Sequence, residues 1–345
     1  MRTNVYILVD YKNKFSSNYG GQIYRGGLNH DSLENAFSKY GMNIIWKTFS
    51  EIDFTNDWSG KIVLYTSSED NKILYKSYIE DIIYGLELHG AVVIPKFKYL
   101  RAHHNKVFME ILRSKIDSNN HSKSLLLGTL EESIDALKAN KITFPCVIKA
   151  AAGAMSKAVA KATNKKEFIA VVSDMSKTPN LKLDVKDFLR TYKHKGYIPE
   201  STHRNKFIVQ PMIQGLENDW KVLVYGDKIF NLKRFVRKND FRASGSHVNY
   251  KIGSESGLTS EMMDFVFDIY KKMDIPMLSF DLAYDGKNYY MIEFQTLYFG
   301  TSTFALSKDY YERVGSEWVL KPKDENKLEM LFAYAINKYI CEHKR

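Results

Sequence analysis

Met277-Leu278-Ser279-Phe280-Asp281-Leu282-Ala283-Tyr284, a turn at Asp285-Gly286-Lys287-Asn288, then Tyr289-Tyr290-Met291-Ile292-Glu293-Phe294-Gln295: this stretch reads as a β-hairpin. Side chains alternate between the two faces of a strand. Phe280 and Leu282 share one face, and packing them with Ile292 and Phe294 puts Asp281, Glu293 and Gln295 together on the other. That register requires an odd loop of three or five residues around Asp285-Gly286-Lys287, since a two-residue Asp-Gly turn would send Glu293 to the wrong face. Three converging oxygen ligands suit magnesium.

Working outward, Trp220–Tyr225 and Lys228–Phe235 flank a Gly226-Asp227 turn and form a second hairpin. Its return strand and the loop after it are basic, with Lys233, Arg234, Arg237 and Arg242. Upstream, the apolar strand Phe207–Ile213 runs into Gly215, Glu217 and Asp219. Further upstream, the strand Val147-Ile148-Lys149 opens into Ala150-Ala151-Ala152-Gly153-Ala154-Met155-Ser156-Lys157-Ala158. Small residues let backbone N–H groups approach phosphate oxygens, and lysine supplies positive charge.

This ordered set resembles the ATP-grasp superfamily, the ribosomal-protein glutamate ligases and the D-alanine–D-alanine ligases in particular. The likeness covers about residues 101–305. It implies ATP and magnesium, two ions, as cofactors, with Asp281, Glu293 and Gln295 as metal ligands. Lys106, Lys149, Gly153, Ser156 and Lys157 correspond to the groups that hold phosphates. Gln210 corresponds to a residue near the adenine amino group, and Met212 and Ile213 to the hinge. Glu217 matches a ribose-binding carboxylate, though a turn residue is the other reading. Lys221 stands where arginine is frequent, and a solvent-facing strand lysine is equally open. Arg234 and Arg242 correspond to groups that stabilise the transferred phosphoryl and the acyl phosphate. The chain departs from the pattern twice: Gln295 replaces the usual asparagine, and the 150–158 loop is poor in glycine. The implied activity is an ATP-dependent, ADP-forming carboxylate–amine ligase. A kinase acting on a hydroxyl, or a non-catalytic nucleotide-binding module, would share the same site.

Strands and helices alternate over residues 1–100, which implies a parallel sheet. The expected class is therefore α/β (α+β), in three parts: an N-terminal Rossmann-like domain at 1–100, a small ATP-binding subdomain at 101–206, and a C-terminal catalytic subdomain at 207–345. Residues 176–206 are polar and lysine-rich and read as a lid, binding loop or flexible insert. Arg25, in the Gly20–Gly27 loop, is a candidate clamp for a substrate carboxylate.

The 44% apolar content excludes disorder. Fifty Lys and Arg against 40 Asp and Glu give a charge of +10. The positive residues are dispersed and no nucleic-acid reader motif is present, so no nucleic-acid partner is expected. No apolar run is long enough to span a bilayer, and no membrane partner is expected. Two cysteines and no secretory signal fit a reduced, cytoplasmic setting. The expected partners are a small-molecule carboxylate and amine, with a homodimer left open.

Overall fold

The structure is a computed structural model that describes residues 2–19, 26–117, 123–153, 158–237, 240–242, 250–323 and 327–343. The chain begins with β1 (Thr3–Val9), α1 (His30–Ser38), β2 (Met42–Thr48), β3 (Ile62–Tyr65), α2 (Leu74–Leu88), β4 (Val92–Ile94) and α3 (Phe97–Ala102). It continues with α4 (Lys106–Ile116), β5 (Leu125–Leu127), α5 (Leu130–Lys138), β6 (Cys146–Ala150), β7 (Val159–Ala162), α6 (Lys165–Met175) and α7 (Leu181–Lys193). Then follow β8 (Phe207–Pro211), β9 (Asn218–Tyr225), β10 (Lys228–Phe235), β11 (Tyr250–Ile252), α8 (Ser260–Met273), β12 (Met277–Tyr284) and β13 (Tyr289–Gln295). The last elements are α9 (Ser302–Leu306), β14 (Asp309–Val314), β15 (Glu317–Pro322) and α10 (Leu328–His343).

Two compact units result, one of Met1–His103 with Leu216–Arg345 and one of His104–Gly215. In the first, β2-β1-β3-β4 form a parallel sheet, as alternation of strand and helix requires. The same unit holds a seven-stranded sheet in the order β13-β12-β9-β10-β14-β15, with β11 paired to β10. The second unit is built on the antiparallel order β5-β8-β6-β7.

Three expectations need revision. The N-terminal 1–100 segment does not separate from the C-terminal part. Phe332 of α10 packs edge-on against Phe15, centroids 5.6 Å apart, and also meets Phe37, so one buried core joins β1, α1, β9 and α10. β8, expected to open the C-terminal subdomain at 207, is instead an inner strand of the second unit, between β5 and β6. Phe207, Ile208 and Val209 are all buried, Phe207 and Val209 in the core that includes α5 and α6. The 176–206 insert contains a regular helix: Asn180 accepts a hydrogen bond from Leu183 N and starts α7.

In the second unit, one sheet face packs Cys146, Ile148, Phe207 and Val209 against Leu137, Phe168 and Val172 of α5 and α6. Thr129 caps α5 by accepting from Glu132 N, while Glu132 accepts from Gly128 N. Burial pushes the Cys146 thiol up to about 11, so it is no thiolate nucleophile.

Phe332→Ala should cost about 3–5 kcal/mol of stability. The measurement is urea unfolding, with a lower midpoint at unchanged slope as the expected result. An unchanged midpoint would mean that α10 does not share the core of β1 and α1.

Candidate active site

Asp281 of β12 stands directly opposite Glu293 of β13, and Ser279 opposite Gln295. Asp281, Glu293 and Gln295 therefore share one face, as the sequence requires, but by a different device. Tyr284 pairs with Tyr289, so the loop has four residues, an even number. Leu282 pairs with Met291 while Asp281 pairs with Glu293, which leaves Ile292 as an extra residue. This β-bulge restores the parity that the loop lost. Asp285 fixes the four-residue loop by accepting from Lys287 N and Asn288 N at 2.8 and 2.7 Å.

The other side of β12 extends the polar row. Lys221 of β9 lies opposite Asp281, and Arg234 of β10 opposite Asp219 of β9. Residues 219 and 221 are two apart, so all four side chains emerge on one face. The Arg234 guanidinium donates to both Asp219 oxygens, Nε at 2.6 Å and Nη2 at 2.8 Å. Nη2 also lies 3.0 Å from Asp281 Oδ2, and Lys221 Nζ 3.2 Å from Asp281 Oδ1. Asp219, Arg234 and Asp281 are buried. The opposite face is apolar, with Phe280 in ring contact with Phe265 of α8.

Burial works against the Arg234 charge, but Asp281 and Asp219 outweigh it and hold the guanidinium protonated well above its ordinary range. Burial also opposes the charge on Asp281, yet Arg234 and Lys221 pull its carboxyl down to about 2. Asp219 goes the other way: burial pushes it up to about 6 against the pull of Arg234, and the charge on Asp281 adds to the rise.

Oxygen donors are what magnesium takes. Glu293, Gln295 and Asp281 supply them on one face, so the donor chemistry fits. Both Asp281 oxygens already face cations. Lys221 is thus the partner of Asp281 and not a free strand lysine. Arg242 forks onto Asp240, with Nε 3.0 Å from Oδ1 and Nη2 3.0 Å from Oδ2. Glu217 has an exposed side chain, and its carbonyl accepts from Val236 N at 2.8 Å.

In the second unit the face away from α5 and α6 carries Lys149 and Gln210, since Lys149 pairs with Ile208 and Val147 with Gln210. Lys106 opens α4 after its Asn105 cap. Its backbone N–H donates to Ala151 O at 2.9 Å and its Nζ to Gly153 O at 3.0 Å. Lys106 is therefore at the loop that follows Lys149. Gly153 has φ +126°, a conformation that disfavours any side chain. Ser156 and Lys157 lie outside the described residues, as does Arg25. Gln210 Nε2 donates to Ser124 Oγ at 2.8 Å and to Glu110 Oε2 at 3.2 Å. Both amide hydrogens are spent within the protein, which leaves the carbonyl oxygen to accept from an amino group. Met212 N donates to Pro145 O at 3.1 Å, while Ile213 follows it at the end of the unit.

Sequence reasoning missed Asp219 as a site residue. Its pairing with Arg234 depends on the β9–β10 register, and the two-residue turn at Gly226-Asp227 was the available signal.

The sequence matches no family model and no curated protein. Solved structures do match. A RimK domain protein ATP-grasp from Sphaerobacter thermophilus is similar with TM-score 0.52 and 11% identity, over 97% of this chain and 99% of that one. The D-cycloserine synthetase DcsG gives 0.54 and 10%, with coverage of 97% and 99%. D-alanine–D-alanine ligase from Bacillus anthracis gives 0.52 and 13%, with 99% of each chain covered.

The fold is the ATP-grasp fold. The ATP-grasp fold expected from the motifs is therefore present over nearly the whole chain, well beyond residues 101–305.

Arg234→Met should destabilise the protein by about 3–5 kcal/mol, because two buried carboxylates lose their shared partner. Denaturant unfolding measures this, and a loss below about 1 kcal/mol, the scale of an exposed pair, would place the network in solvent. The acid limb of stability gives a second expectation. A lowered carboxyl value stabilises the fold fully above the unfolded-state value of about 4 and loses that contribution as pH falls towards 2. Asp219, raised to about 6, gives the reverse slope between pH 6 and about 4. Asp281→Asn should thus flatten the loss between pH about 4 and 2 in melting experiments. An acid limb as steep as that of the wild type would remove Asp281 from the ion pairs.

Proposed function

We propose that the chain is an ATP-dependent, ADP-forming ligase that activates a carboxylate as an acyl phosphate and joins it to an amine. The observation that carries this reading is the pair of cations, Arg234 and Lys221, fixed by Asp219 and Asp281 on the sheet face that also bears Glu293 and Gln295. Cations held in place before reaction lose little freedom when charge develops beside them, and electrostatic preorganisation of this kind is a large catalytic effect. Two of the similar structures are, by name, a ligase and a synthetase, which supports the reaction class.

A carboxylate is a poor acyl donor because oxide is a poor leaving group. Its oxygen attacks the γ-phosphorus, the bond to ADP breaks, and an acyl phosphate forms. The amine nitrogen then attacks the carbonyl carbon, the carbon–oxygen bond to phosphate breaks with its electrons on phosphate, and nitrogen gives up a proton. Arg234 offsets the charge that builds on the transferred group, with Lys221 beside it. Arg242, held by Asp240, is proposed to act on the acyl phosphate. Lys106, Lys149 and the Gly153 backbone bind phosphate oxygens, joined by Ser156 and Lys157. Gln210, Met212 and Ile213 receive the adenine, and Glu217 the ribose. Glu293, Gln295 and Asp281 would hold magnesium, which would supply charge neutralisation beside the phosphates. The acid is proposed to meet the Gly20–Gly27 loop. The stem of that loop is tied down where Ser17 Oγ donates to Phe299 O at 3.0 Å and Tyr19 N to Thr301 Oγ1 at 2.7 Å. Amino acids, peptide termini and sugar acids are the candidate substrates.

The test is a screen of acids with amines for ADP and phosphate release, with mass analysis of the product. An amide formed only when both substrates are present supports the reading. A stable phosphorylated hydroxyl compound made without amine would replace it with a kinase. In an active pair, Glu293→Gln should lower kcat about a hundredfold or more with the melting profile intact. Lys149→Ala should raise the KM for ATP about tenfold, as expected for one charged hydrogen bond. Wild-type kinetics in either variant would remove that residue from the site.

A further inference from the structure

The helix α7 presents its apolar residues outward. Leu181, Val185, Phe188, Leu189 and Tyr192 recur at i, i+4, i+7, i+8 and i+11 and so form one stripe within about 100° of the helix surface. A stripe with that spacing normally faces a core. Here Leu181 is 80% exposed, Phe188 60%, Leu189 61% and Tyr192 78%. Ile198, just beyond the helix, is 86% exposed. The residue of α7 that is buried is Asp187, which accepts from Arg190 Nη1 at 2.9 Å and from Tyr197 OH at 2.8 Å. The helix is thus anchored by its polar side, with its apolar side unpartnered among the described residues.

Charge narrows the occupant. Lys182, Lys186 and Lys193 stand at i, i+4 and i+11, in a row along one edge of the stripe. Arg190 is neutralised locally by Asp187, whereas these three lysines have no ion pair among the described residues. Residues 176–206 hold eight Lys and Arg against three Asp and Glu, so this short stretch carries half of the chain's excess of ten. An apolar ridge with two aromatic rings, bordered by lysines, matches the boundary of an anionic bilayer: the ridge enters the acyl region and the lysine stems snorkel to the headgroups. A second copy is disfavoured, because antiparallel packing of two such helices sets lysine row against lysine row.

We infer that α7 is an interfacial anchor that docks this protein on an anionic lipid surface. This departs from the expectation of no membrane partner. It stands independently of the proposed ligase reaction.

The experiment is co-sedimentation of the full chain with vesicles of phosphatidylcholine alone and of phosphatidylcholine with phosphatidylserine, at low and high ionic strength. The expected result is binding to the anionic vesicles at low salt, with little binding to neutral ones and loss at high salt. The double substitution Phe188→Glu with Leu189→Glu should lower the partition coefficient at least about tenfold, and so should Lys182→Glu, Lys186→Glu and Lys193→Glu together. All five side chains point to solvent or flank the stripe, so the melting temperature should not move; if it does, the salt and lipid dependence of the wild type decides alone. Absence of binding to anionic vesicles would overturn the inference, as would equal binding to neutral ones. Equal binding of the wild type and both variants would overturn it too. So would sedimentation showing a wild-type dimer that Phe188→Glu with Leu189→Glu returns to monomer, since the stripe would then be covered by a second copy.

Discussion

Two carboxylates and two cations, Asp219, Asp281, Arg234 and Lys221, share one face of the seven-stranded sheet, and Glu293 and Gln295 stand on the same face. Buried charge is expensive unless paired, and a pair recovers the cost only with good geometry. The bidentate fork of Arg234 onto Asp219, with its second contact to Asp281, meets that condition. Strand register supplies it: β9 sits between β10 and β12, so one strand contributes both Asp219, facing Arg234, and Lys221, facing Asp281. A slip of one residue in either ladder would turn half of the network into the apolar face against α8.

The same constraint explains the bulge at Ile292. Glu293 must share the face of Asp281, and the four-residue loop held by Asp285 has the wrong parity for it. An extra residue in β13 is the least disruptive correction, because it leaves the pairs Tyr284–Tyr289 and Asp281–Glu293 intact on either side. Bulges recur beside functional sites because they re-aim a side chain without moving its strand. Here the re-aimed residues are Glu293 and Gln295.

Much of this was legible in the sequence, and the exceptions have physical causes. The ATP-grasp fold was legible through the resemblance carried by the ordered motifs, and the hairpins of β9–β10 and β12–β13 through their alternation. The common face of Asp281, Glu293 and Gln295 was legible from packing the apolar rows together, and the structure reaches it through the bulge at Ile292. The odd loop did not follow, since face parity constrains loop plus bulge together and not the loop alone. α7 was missed because its apolar stripe is diluted by lysines and faces no core, so it reads as a polar insert. The link between Phe332 and Phe15 spans almost the whole chain, and no local pattern encodes such a contact.

That long-range contact matters for the site. α10 shares a core with β1, α1 and β9, so the strand bearing Asp219 and Lys221 is tied to the N-terminal sheet. Glu329 at the start of α10 accepts from Asn29 N at 2.9 Å and from Asn18 Nδ2 at 3.3 Å, which ties together residues on either side of the Gly20–Gly27 segment. Ser17 and Tyr19 are bonded in turn to Phe299 and Thr301, a few residues beyond Gln295. The residues that flank the segment proposed to meet the acid are therefore tied to the same unit as the cations proposed to act on it. Positioning of this kind converts an encounter into a fixed approach, and a fixed approach is what transfer between two small molecules requires.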